Sequence, residues 1–205
     1  MTTTAQPMFE APEERVPSRR LLTRLSVTAA IWALGYAGYR GYYAAGGSFG
    51  IPGTPAPAAH WRLVNLVGAS IIGVGAVLPL AVLPLWTRRR ARPLLLALCW
   101  LVAVFCCMHA VVMMSERVLS LAGLLHLDYP DWASIDRRTA DLQDLFGNEP
   151  WFFLEGLAYA ALAWAASSPG RRRRRWTAGG IAAVAALTAI GLLSATGVIG
   201  KAIIG

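Results

Sequence analysis

The sequence predicts an all-α fold, a polytopic transmembrane helical bundle of about five spans, with the N-terminus cytoplasmic and the C-terminus outside. Three observations carry this expectation. Of 205 residues, 56% are hydrophobic and only 15% charged, with a mean hydropathy of +0.50, which is too apolar for an ordinary soluble domain. The apolar residues form runs of spanning length, interrupted by glycine, proline and arginine. The net charge of +8 sits in short arginine blocks between those runs, where the positive-inside rule puts it. That placement leaves no basic and aromatic surface able to follow a phosphate backbone, so nucleic acid is not an expected partner.

Residues 1–20 contain Pro7, Pro12 and Pro17 among scattered Glu and Arg, and read as a disordered cytoplasmic tail without a cleavable signal. Span one runs from Leu21 or Leu25 to Ala45 and stops at Gly46-Gly47, where Gly50, Pro52, Gly53, Pro55 and Pro57 define a non-helical loop. Span two covers Leu63 to Leu85 between Trp61 and Trp86, read as interfacial anchors, and Pro79 and Pro84 kink its inner half. Span three starts at Pro93, a favoured first helical position, and runs to Met114. The loop at 115–150 holds an apolar stretch, Val118 to Leu127, lying along the interface, and a short amphipathic helix over Trp132–Phe146. Span four is Trp151 to Ala166, which completes a four-helix unit over 21–168. Residues 169–205 supply a basic turn of five arginines and span five, Trp176 to Ile199, whose Gly and Ala positions suit close helix contact.

Counting basic residues orients the chain. The tail and the two arginine turns hold 13, against five on the opposite side, where the loop from Glu116 to Glu149 carries seven acids. The expected location is the plasma membrane, multi-pass, with the lipid bilayer as the first partner.

Arg40 breaks the apolar pattern of span one. Tyr36, Arg40 and Tyr43 share a helix face with Trp32, and Tyr39 lies beside them. An intramembrane cation costs roughly 3 kcal/mol on insertion scales, so it faces the bundle interior or water. At about 1.5 Å per residue, Arg40 and His109 lie roughly 24 Å above the inner ends of their spans, in a core about 30 Å thick. Asn65 and Glu155 each follow an assumed interfacial tryptophan by four residues, about 6 Å under the outer surface. Equal depth predicts an Arg40–Glu155 ion pair, with Asn65, His109 and the tyrosine hydroxyls as further partners and Glu116 one stripe above His109. The competing readings are that Arg40 snorkels to the outer headgroups, that Glu155 answers the dipole of its helix, and that Asn65 is a lone interhelical hydrogen bonder.

The run Arg40-Gly41-Tyr42-Tyr43-Ala44-Ala45-Gly46-Gly47-Ser48-Phe49-Gly50-Ile51-Pro52 resembles a segment of a family of small actinobacterial membrane proteins that carry a domain of unknown function. There His-x-Tyr-Trp-Ala-Leu-Gly-Gly precedes a Gly and a Leu-Pro pair. Glu149-Pro150-Trp151-Phe152-Phe153-Leu154 and the region of Asn65 look similar too, so the likeness covers roughly residues 25–168. It implies a four-helix unit of unknown activity with span five as an addition. Arg40 stands where the family has His and Tyr43 where it has Trp; chemistry resting on that histidine does not carry over, whereas a polar group at that height does.

Two functional readings follow. In the first the chain is a binding or accessory protein whose outward-facing polar pocket takes a lipid headgroup or small amphiphile, or whose buried charges pin the bundle while a membrane-protein partner docks elsewhere. The alternative is an intramembrane enzyme with Glu155, Glu116 or His109 as general acid or base on a lipid-like substrate and Arg40 stabilising charge. A proton-coupled transporter is disfavoured, because the inner halves of the spans lack polar groups for a path. No metal or other cofactor is expected. His109 has no second intramembrane histidine or suitably spaced thiolate, and Cys99, Cys106 and Cys107 read as small packing residues.

Overall fold

The computed structural model describes residues 18–88 and 90–199; the expected tail up to residue 17, and Lys201, lie outside the described residues. The elements are helix α1 (Arg19–Ala44), strand β1 (Gly53–Pro55), α2 (Ala58–Ala81), α3 (Arg92–Leu121), strand β2 (Trp132–Ile135), α4 (Arg137–Gln143), α5 (Glu149–Ala166) and α6 (Arg171–Ala195). A 3-10 turn, Leu83–Thr87, leads from α2 toward α3, and a π turn, Asp144–Asn148, joins α4 to α5. Among the described residues, α2, α3 and α6 are long and apolar enough to cross a membrane. Their outer faces carry Ile71, Val74, Leu101 and Ile181 at 64–68% exposure, apolar surface beyond what a water-soluble monomer normally shows.

The helices pack in the order α2, α1, α5, α3, α6. Small residues set the spacing at each seam. Ala29, Ala30 and Ala33 are buried along α1, and Gly35 leaves room for the ring of Trp151, which a Cβ there would meet at 3.0 Å. Trp151 stacks on Trp32 with centroids 4.2 Å apart. Each indole N–H donates to the other residue's carbonyl, at 3.0 and 3.2 Å. At the α3/α5 seam a Cβ on Gly156 would lie 2.6 Å from Cys107 Sγ and 3.1 Å from the Ala103 carbonyl. Gly180 and Gly191 seat α6 against Trp100 and Val112 of α3, the close contact expected of span five. The three cysteines are free and buried.

The proline in α2 has a specific answer. Pro79 lies inside the helix and has no N–H to give to the carbonyl four residues earlier, that of Gly75. Tyr159 of α5 donates its hydroxyl to that carbonyl at 2.7 Å, so a group freed by one helix is satisfied by another. Tyr159→Phe is expected to cost about 1–3 kcal/mol for the orphaned carbonyl. In a Pro79→Ala background, where an N–H is restored, the same change is expected to cost less by about 1 kcal/mol. Unfolding of the four proteins in mild detergent measures the difference; equal losses in both backgrounds would assign the cost to packing instead.

The two ends of the bundle differ. At the arginine end, Arg92 donates to the Ala166 carbonyl from Nε at 3.0 Å and Nη2 at 2.7 Å. Arg173 donates to the Ser167 carbonyl at 2.9 Å and lies 4.1 Å over the Trp164 ring. The block Arg171–Arg175 does not form the expected turn. Gly170, at φ 97°, makes the reversal, and the arginines open α6. A cation at a helix N-terminus opposes the dipole, and Arg173 offsets this by reaching back to the carbonyl end of α5.

At the other end the connections form a cap, and here three expected boundaries move. Helix α3 runs on to Leu121, because no breaker intervenes before Gly123, at φ 71°. The stretch Trp132–Phe146 is not one helix. Residues 132–135 pair antiparallel with β1, Gly53 facing Ile135, and Asp136 then starts α4 by accepting from Thr139 N at 3.2 Å and Thr139 Oγ1 at 2.6 Å. Those bonds hold the Asp136 carboxyl below its ordinary range. This N-terminal capping of α4 is therefore fully present above the unfolded carboxylate's pKa and weakens as pH falls through the folded value. The third change is that the loop after α1 contributes β1.

Candidate functional site

The cap encloses a cavity of about 260 Å³ at the ribbon end of the bundle. Helix α1 contributes Tyr39, Arg40 and Tyr43, α2 contributes Trp61 and α3 contributes Arg117. The cap closes it with Tyr129, Trp132, Gln143, Asp144 and Asn148. Local structure fixes the aromatic wall. Tyr43 donates to the Phe49 carbonyl at 3.1 Å, and Tyr42 Oη accepts from Phe49 N at 2.9 Å, which folds the glycine-rich loop back onto α1. Trp61 meets Tyr43 at 5.9 Å and Trp132 edge-on at 5.1 Å. Gln143 ties α4 to the loop through the Gly50 carbonyl at 2.7 Å.

Two guanidinium groups reach this cavity, and their states are opposite. Arg117 Nη2 lies 2.9 Å from Asp144 and Nη1 3.6 Å from Asp141. It also donates to Tyr129 Oη at 3.2 Å. Tyr129 and Ser120 donate to the two oxygens of Asp141 at 2.7 and 2.6 Å, and Asn148 donates to Asp144 at 2.7 Å. Burial and the bond to Asp141 push the Tyr129 phenol up, so it is neutral well past its ordinary range. Both Nη groups of Arg117 are thus engaged by carboxylates, and its Nε alone is buried without a partner. Arg40 has no ion pair and no hydrogen bond among the described residues, and its Nε is buried without a partner. It is half-buried and lies against Gly68 of α2, where a Cβ would stand 3.2 Å from Nε.

The structure brings together only part of the expected set. Tyr39, Arg40 and Tyr43 share the cavity, and Tyr36 supports them from beneath, buried against Trp151 and edge-on to Phe152 at 5.0 Å. Asn65 is fully buried, but its Nδ2 donates to the Trp61 carbonyl of its own helix at 2.8 Å. His109 faces Glu149, Nε2 to Oε2 3.7 Å, between the rings of Phe105 and Phe152. Glu116 is half-buried without an ion pair among the described residues.

Arg40 and Glu155 do not pair. Trp151 is level with Trp32 in their stack, so Arg40, eight residues beyond Trp32, and Glu155, four beyond Trp151 in the opposite direction, are about 18 Å apart along the bundle. The expected depth of Glu155 rested on treating Trp151 as a surface anchor, and Trp151 is instead packed against Trp32 and Tyr36 inside the bundle. Arg117, Tyr129, Asp141 and Asp144, which line or brace the cavity, are not among the expected site residues. Their signal lay in the acidic loop, where Asp141 and Asp144, three residues apart, share a helix face below Arg117.

Among the described residues no group of three His, Cys, Asp or Glu is placed to hold a metal ion. Compared with known proteins, the chain matches no family model, no curated protein and no solved structure.

Proposed function

We propose that this chain is a five-span plasma-membrane protein, with its ribbon end outside, whose cap cavity binds the anionic headgroup of a lipid or small amphiphile. One observation carries the reading: in a single cavity the two Nη groups of Arg117 meet carboxylates, while Arg40 has no ion pair or hydrogen bond among the described residues and sits beside tyrosine and tryptophan rings. A partly buried cation without a counter-charge is expensive, and an anionic headgroup supplies that charge with the two-pronged geometry guanidinium favours. Asp144 also lines the cavity, but Arg117 and Asn148 already occupy its oxygens. Phe49, Leu124 and Phe146, at 75–88% exposure on the cap side, suit a surface lying in the membrane interface. Two further spans, α1 and α5, complete the five in this reading, and the family likeness of 40–52 is compatible with it without adding an activity. An accessory role beside a membrane partner uses the same fold. The acid–base alternative has less support, since Glu155, an acid or base in that reading, lies about 18 Å along the bundle from Arg40, its charge stabiliser.

The binding test uses the full chain in phosphatidylcholine nanodiscs, titrated with dihexanoyl phosphatidylglycerol and followed by tryptophan fluorescence. Saturable binding that disappears in Arg40→Met is expected; no saturation, or equal titrations for both proteins, would refute the reading. Orientation is checked separately with cysteines placed at Ser134 and Ser168. The first should react with an impermeant maleimide from outside whole cells, and the second only after permeabilisation.

A further inference from the structure

A second cavity, of about 460 Å³, lies away from the cap between α2, α3 and α5. Helices α2 and α3 form its sides, through residues such as Ile72, Pro79, Leu98 and Val102, and α5 forms its floor through Phe152, Glu155 and Tyr159. The Tyr159 hydroxyl is committed to the Gly75 carbonyl. The carboxyl of Glu155 is not committed: the residue is 6% exposed, its Oε2 is buried without a hydrogen-bond partner, and no cation lines the cavity among the described residues.

An apolar slot with one uncompensated carboxyl selects for an apolar body bearing a positive nitrogen. A carboxylate in such surroundings needs a counter-charge, and an N–H cation gives it a charge-assisted hydrogen bond, roughly twice as strong as a neutral one. The shape restricts the occupant further. The slot follows α2 from Ile71 to Val82, about 16 Å at ~1.5 Å per residue, a length that suits an extended hydrocarbon chain. We propose that this cleft is a binding site for a lipophilic amine, with Glu155 as its counter-charge and the α2/α3 walls holding its hydrocarbon. This site is independent of the cap cavity.

The probe is N,N-dimethyldodecylamine added to the full chain in phosphatidylcholine nanodiscs. Binding is read by native mass spectrometry and by protection of Cys99 and Cys106, which line the cleft, from a membrane-permeant maleimide. One equivalent should bind saturably and protect both thiols. Glu155→Gln should weaken it at least tenfold, and dodecanol should bind at least tenfold more weakly than the amine. Leu98→Trp, which narrows the mouth while leaving Glu155 in place, should also weaken binding at least tenfold. Equal affinity for the amine in Glu155→Gln, or equal affinity for the alcohol, would overturn the proposal. If Glu155→Gln does not fold, unchanged amine binding by Leu98→Trp overturns it on its own.

Discussion

Arg40→Met is expected to lose anion binding altogether while leaving the folded chain as stable as before or more so. The two outcomes share a cause. In the free protein the half-buried guanidinium has no carboxylate or carbonyl partner and its Nε is cut off from solvent, and an apolar side chain of similar length removes the part of the desolvation cost that water does not relieve. In the complex the same group would supply charge-assisted bonds worth about 1.5–3 kcal/mol each, roughly tenfold to a hundredfold in affinity per bond. A functional residue that is held at the expense of stability has this signature. Gly68→Ala provides an independent check. A methyl placed 3.2 Å from Arg40 Nε must displace the guanidinium, so affinity should fall while the charge is retained. Thermal unfolding in nanodiscs alongside the phosphatidylglycerol titration measures both; a large drop in melting temperature for Arg40→Met would show that the arginine is structural.

Arg117→Met is expected to do the reverse, destabilising the cap by about 3–5 kcal/mol, the usual loss when one member of a buried ion pair is removed. Asp141 is 3% exposed at its side chain and Arg117 11%, so solvent screens neither strongly. Without the guanidinium two carboxylates face each other across one turn of chain. Arg117→Lys should recover only part of the loss, because an ammonium does not reproduce the fork that meets Asp144, Asp141 and Tyr129 together. Asp141→Asn removes one charge and keeps a side chain able to accept from Ser120 or Tyr129, so its cost should be the smaller, about 1–3 kcal/mol. Hydrogen exchange resolves the location: protection should fall over residues 129–148 in Arg117→Met and persist in α3 below the cap. Uniform loss across all helices would mean that the network supports the whole bundle rather than its lid.

The contrast between these arginines also marks how far the sequence was legible. The five long helices follow from apolar runs and from Gly and Pro at their ends, information that is local to each segment. Partner choice is not local. It depends on how far one helix is shifted along another, and that shift is set by contacts such as the Trp32–Trp151 stack, which no periodicity within α1 or α5 encodes. Depth counted from tryptophans presumed to lie at the interface therefore put Arg40 and Glu155 on one level. Trp86, read the same way, is buried in the core. Arg117 is hidden for a related reason. Its sequence position reads as a loop charge, and the extra turns of α3 that carry it into the cavity follow from the absence of a breaker before Gly123.

The paired indoles have a mechanical consequence. Because each gives its N–H to the other's main chain, a slip of α1 along α5 by a single residue would forfeit both bonds and unstack the rings together, so that seam behaves as a fixed jamb. On the far side of α5, Tyr159 holds the Gly75 carbonyl of α2, so the helix that fixes α1 in register also braces a wall of the side cleft.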